Sequence, residues 1–166
     1  PEQAAIAEKA GACAVMALQR WPELALVGVY GVDAAGAHVG YVMDRDRWLG
    51  QPLTQAVAVR SLDEMLFAVR LDAGLELDAA LGFHLYATDL VLAAQRRGFC
   101  SAVLPAPCEH HSRLARTGDA QTIAAFAQSV EVFRRNWADQ LPLATPSIVI
   151  DASLTAAGWR ALAGGA

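Results

Sequence analysis

Residues 88–107 confine the fold more than any other stretch of this chain. Thr88 or Asp89 supplies a capping side chain at a helix start, Gly98 stands just past the helix end, and Arg96-Arg97 complement the negative end of its dipole. Phe99 to Leu104 then reads as a strand, stopped by Pro105 and Pro107, which cannot donate to a ladder. A helix that passes directly into an apolar strand lays its apolar stripe on a sheet, so the expected class is α/β, a mixed β-sheet flanked by helices.

The rest of the chain fits that layering. Leu24 to Val32 is an apolar, valine-containing run that predicts a buried strand, and Asp33-Ala34-Ala35-Gly36 predicts a turn into a hairpin partner over His38 to Met43. Residues 2–20 predict a helix, with Ile6, Ala10, Cys13, Ala14, Ala17 and Leu18 on one face, ended by Trp21-Pro22. Asp44 to Gly50 reads as a charged loop carrying an exposed Trp48. Ser61-Leu62-Asp63-Glu64 has the spacing of a capping box, and Met65 to Val69 predicts a helical turn leading into a strand. Ile123, Phe126, Val130, Phe133 and Trp137 share a face of a long helix over 119–139. A last strand is expected over Thr145 to Ile150 and a closing helix over Leu154 to Leu162. Residues 1–163 read as a single domain and 164–166 as a flexible tail.

Composition removes several classes of function. The chain has 166 residues, enough to bury a core without disulfides or metal staples. Hydrophobic residues make up 55% and charged residues 18%, but much of the apolar share is alanine, which suits close helix packing. No apolar run reaches the roughly 18 residues of a membrane span, and the start lacks the basic-then-apolar order of a signal peptide. The net charge of −4 without a basic block argues against nucleic acid as a partner. Cys13, Cys100 and Cys108 form no Cys-x-x-Cys pair, so reduced thiols in a cytoplasmic protein are expected. A zinc site from Cys100, Cys108, His110 and His111 would have the right ligand types, but its spacing matches no common finger.

Two segments carry a family likeness: Phe83-His84-Leu85-Tyr86-Ala87-Thr88-Asp89-Leu90 through Gly98, and Leu104-Pro105-Ala106-Pro107-Cys108-Glu109-His110-His111-Ser112. Their order resembles the acceptor-side, C-terminal half of family 2 glycosyltransferases of the GT-A fold. The resemblance is strongest between Ser61 and Pro142. It implies a partial GT-A fold and transfer of a sugar from a nucleotide sugar to a glycan, lipid-linked or protein acceptor. It assigns Asp89 to the second of two helix-start acids, places Ala87 where the first, the usual base, would stand, and offers Asp63 as a substitute base. His84 and Tyr86 become acceptor-gripping aromatics, His110 a metal or diphosphate contact, and His111 and Arg113 further substrate contacts. It also implies that His110 faces the cleft near Asp89 and Tyr86 while His111 faces away.

The same likeness implies a divalent metal, Mn or Mg, brought by a donor-binding half that the sequence does not display, since the chain opens directly into a helix. Without that half, an apolar face beside Leu24–Val32 would need a homo-oligomeric partner or a further N-terminal segment. A rival reading from the same residues is a non-catalytic carbohydrate-binding or protein-interaction module, which Ala87 favours.

Overall fold

A computed structural model describes residues 21–110 and 120–153. It is a mixed α/β structure. The predicted helices over 2–20 and 154–162, the 164–166 tail, Cys13, and the site residues His111 and Arg113 lie outside the described residues.

The apolar run over 24–32 forms two strands rather than one, β1 (Leu24–Gly28) and β2 (Tyr30–Val32). They serve different sheets. β1 lies in a four-stranded sheet with β5 (Val57–Ala58), β7 (Phe67–Val69) and β8 (Cys100–Val103), in the order β5-β8-β1-β7. β1 and β8 are parallel and the other pairs antiparallel, so the sheet is mixed as expected. β2 starts the second sheet with β3 (His38–Asp44), β4 (Arg47–Gln51) and β6 (Ser61–Leu62). β9 (Cys108–His110) joins that sheet by pairing parallel with β3.

The β2–β3 hairpin follows the predicted turn, with the Asp33 carboxylate accepting hydrogen bonds from the amides of Ala35 (2.8 Å) and Ala37 (2.9 Å). The charged segment 44–50 is a second hairpin rather than a loop, since Asp44 pairs with Arg47 and Met43 with Trp48. Its outer face stacks Tyr41 on Trp48, with ring centroids 4.2 Å apart. That stacking gives the solvent side of a short strand something to bury.

Helix α1 (Tyr86–Arg96) packs on β6, β8 and β1. The core between them contains Leu26, Val59, Leu62, Leu90, Val91, Ala94 and Val103. The opposite side of α1 meets helix α2 (Ala120–Asn136) and the small hairpin β10 (Leu143–Ala144)–β11 (Val149–Ile150). Leu92, Phe126, Val130, Phe133, Trp137 and Ile150 fill that second core, so the helical face read from α2's sequence is the face it buries. The other face of the first sheet carries Leu24, Val27 and Ala102 beside Trp21 and Leu104, around an apolar hollow of about 480 Å³.

Two local expectations give way to tertiary pairing. The capping box does not form, because Ser61 and Leu62 pair with Val32 and Gly31 as strand β6. The Ser61 hydroxyl instead meets that of Thr88 at 2.8 Å, and Thr88 donates to the Leu62 carbonyl at 3.2 Å. Helix α1 begins at Tyr86, earlier than its capping residues suggested, with Leu85 at the N-cap in the left-handed region at φ 64°. That conformation is uncommon for a bulky residue. Burial of the Leu85 side chain in the α1–α2 core holds it there.

Candidate functional site

Alternation along β3 sorts the second sheet into two faces. His38 and Asp44 point to one, with Arg47 and His110 opposite Asp44 in the pairing register. That face forms one wall of a cleft of about 750 Å³. The second wall is the strained entry to α1, which presents Phe83, His84 and Tyr86. The loop after β6 supplies Asp63, Glu64 and Met65 at the base, and Pro146 and Ser147 close one side. The cleft therefore draws on segments distant in sequence.

The sheet wall is backed by close backbone approach. Gly40, at φ 118°, lies opposite Tyr30, and a Cβ there would overlap the Val29 carbonyl oxygen and press on the Tyr30 ring. The room left by glycine lets Tyr30 lie against the sheet and bring its hydroxyl within 3.1 Å of His38 Nδ1. At the far end of β3, His110 Nδ1 lies 3.3 Å from Asp44 Oδ1. The contact is an ion pair when His110 is protonated. It falls outside hydrogen-bond geometry, so this buried Asp44 oxygen has no hydrogen-bond partner.

Acidic groups dominate the base. Burial raises the Asp63 carboxyl above its ordinary range, opposed by the Met65 amide, which donates to Oδ1 at 2.9 Å, and by His110. Asp44 adds to the rise. Glu64 is moved further, to about 7, by burial and by the adjacent Asp63. The backbone amides of Leu85 and Ala87 favour its anion without reversing the rise. Its Oε1 is buried with no hydrogen-bond partner. Burial, Glu64 and Asp63 together raise the Tyr86 phenol, and burial lowers the His84 imidazole. A raised acid and a lowered base both favour neutral groups here. A carboxyl poised near neutrality can exchange a proton with a bound hydroxyl.

The structure thus brings Asp63, His84, Tyr86 and His110 into one cleft. It does not bring Asp89 there, which corrects the expectation that His110 and Asp89 are neighbours. The Asp89 carboxylate lies in the second core, where Trp137 Nε1 donates to Oδ1 at 2.6 Å and Arg96 lies 4.0 Å above the indole ring. Nor is Asp89 the helix cap, since it sits inside α1 and its own amide donates to the Leu85 carbonyl. Sequence reasoning missed Tyr30, His38, Asp44, Arg47 and Glu64 as cleft residues. For Glu64 the signal was an acid pair just ahead of the Met65–Val69 run, hidden by the capping-box interpretation.

Among the described residues, no three His, Cys, Asp or Glu side chains are grouped to hold a metal ion. Asp44 and His110 offer two adjacent donor atoms and no third, so this part of the chain does not by itself fit a resident divalent metal. No helix among the described residues is long and apolar enough to cross a membrane. Compared with known families and curated proteins, the chain matches no family model and no curated protein.

Proposed function

We propose that the cleft is the acceptor side of a glycosyl-transfer site of the family 2, GT-A kind, working in the cytoplasm on a nucleotide sugar and a glycan-type acceptor. The observation that carries this reading is the convergence of Asp63, His84, Tyr86 and His110, from three separate segments, in one cleft. Sugars present apolar C–H faces and hydroxyl edges. Phe83 is 81% exposed, with its ring centroid 6.2 Å from that of Tyr86 and the two rings tilted by 58°, and the pair offers apolar ring surface for the faces. The carboxyls of Asp63, Glu64 and Asp44 accept hydrogen bonds from the edges. Arg47 supplies the cationic character that a departing diphosphate requires, and His110 adds imidazole nitrogens beside it.

The test is sugar transfer by the full-length protein, using UDP-, GDP- and dTDP-sugars with and without Mn²⁺. It is paired with NMR of this chain titrated with oligosaccharides. Transfer, together with shifts at His84, Tyr86 and His110, is expected. Absence of both would refute the reading.

A second reading is a carbohydrate-binding module without catalysis. Ala87 favours it, because this buried residue at the start of α1 offers no proton acceptor. It predicts the same NMR shifts with no transfer.

A further inference from the structure

Resting on the glycosyl-transfer reading, we infer that Glu64, rather than Asp63 or Asp89, is the catalytic residue that takes the proton from the acceptor hydroxyl. Two geometric facts point to it. Glu64 lines the cleft, whereas Asp89 is turned into the core against Trp137. Glu64 Oε1 is buried yet accepts no hydrogen bond, so the protein leaves a lone pair for a partner it does not itself provide. Asp63, by contrast, is already engaged, with Oδ1 accepting the Met65 amide at 2.9 Å.

The start of α1 bears on the assignment as well: the backbone amides of Leu85 and Ala87 favour the Glu64 anion, and the side chain at position 87 is itself a methyl group.

The surroundings explain why this acid suits the role. Asp63 on the same loop and burial disfavour its anion, and the α1 amides favour it. Tyr86 at the start of α1 and His84 just before it line the same cleft, as do Asp44, Arg47 and His110 from the sheet side. The balance leaves Glu64 close to half-ionised at neutral pH, where a general base is most effective. As the acceptor oxygen bonds to the anomeric carbon of the nucleotide sugar, its proton passes to the Glu64 carboxylate. The bond from that carbon to the diphosphate oxygen breaks, and the electron pair leaves with the nucleoside diphosphate. Glu64 then releases the proton to water.

The experiment measures transfer by the full-length protein from the same nucleotide-sugar panel across pH 5–9, for wild type, Glu64→Gln and Asp63→Asn. Wild-type rates should rise with pH along a limb centred near 7. Glu64→Gln should lower the rate by roughly 100-fold or more and abolish the limb. Asp63→Asn should keep the limb and move it to lower pH, since a neighbouring negative charge is gone. A merely structural Asp63 or Glu64 would not move the limb in this way. In parallel, ¹³C NMR of the Glu64 carboxyl in this chain should show a midpoint near 7.

A Glu64→Gln protein that keeps at least a third of the wild-type rate, or a limb lost only in Asp63→Asn, overturns the assignment and leaves the transfer reading standing. A carboxyl midpoint below 5 overturns it as well. A wild-type protein inactive with the whole panel removes the transfer reading and the assignment together.

Discussion

Replacing Glu64 with glutamine should change how stability depends on pH. A carboxyl whose folded-state pKa is raised binds its proton more tightly in the native than in the unfolded chain. Between the two pKa values the native state therefore holds more protons, and stability falls as pH rises. For Glu64 the window runs from its ordinary 4.5 to about 7. At about 1.4 kcal/mol per pH unit, its ionisation costs folding about 3 kcal/mol across that window. Glutamine has the same shape and no charge, so the variant should lose this slope. Urea denaturation of wild type and Glu64→Gln at pH 4.5, 6 and 8 isolates the effect, because Asp63, Asp89 and His84 titrate in both proteins. The variant's stability relative to wild type should rise by about 3 kcal/mol from pH 4.5 to 8. For a domain of this size that corresponds to about 6–12 °C in Tm. Parallel pH profiles for the two proteins would show that Glu64 ionises as it would in water and refute the account of the cleft's electrostatics.

Asp89→Ala should cost about 1–3 kcal/mol in urea denaturation, because it strands the buried Trp137 indole N–H. Asp89→Ser should not restore that loss, and recovery with serine would revive the capping role. Gly40→Ala should destabilise the chain by about 2 kcal/mol or more and displace the Tyr30 resonances, since its Cβ overlaps the Val29 carbonyl at a positive φ; unchanged stability would refute the close approach. Phe83→Ala should alter stability by no more than about 0.5 kcal/mol, as an exposed side chain, yet weaken oligosaccharide binding severalfold by NMR titration. Unchanged affinity would remove Phe83 from the sugar surface.

Sequence patterns located most helices and strands among the described residues because those patterns are local. The helical spacing of Ile123 to Trp137 and the stop at Gly98 both report short-range geometry. What they missed depends on distant partners. Val29 separates β1 from β2, so that Leu24 to Val32 serves two sheets, and only the pairing of Leu26 with Ser101 and of Gly31 with Leu62 reveals it. The segment 44–50 looked like a loop because its residues are charged, yet Asp44 and Arg47 face the cleft as paired strand residues. Asp89 carried the composition of a cap, but the buried Leu85 starts the helix earlier and turns that acid toward Trp137. The aromatic segment and His110 were singled out from their order alone, and they line one cleft. Their meeting with Asp44 and Glu64 depends on the β3–β9 pairing, which no local pattern encodes.

That pairing also bears on how durable the site is. β9 is three residues long and is held to β3 through Val42, Met43 and Asp44, with one further bond from the Arg45 amide to the His110 carbonyl. The β1–β8 pair, in contrast, lies inside its sheet and is covered by α1. Amide hydrogens of β9 should then exchange with solvent through a local opening, far sooner than those of Leu26 or Val27, which wait for global unfolding. Each such opening withdraws His110 and leaves the carboxyl base of the cleft in place. Mild denaturant should then reduce the contribution of His110 to the cleft before the domain unfolds.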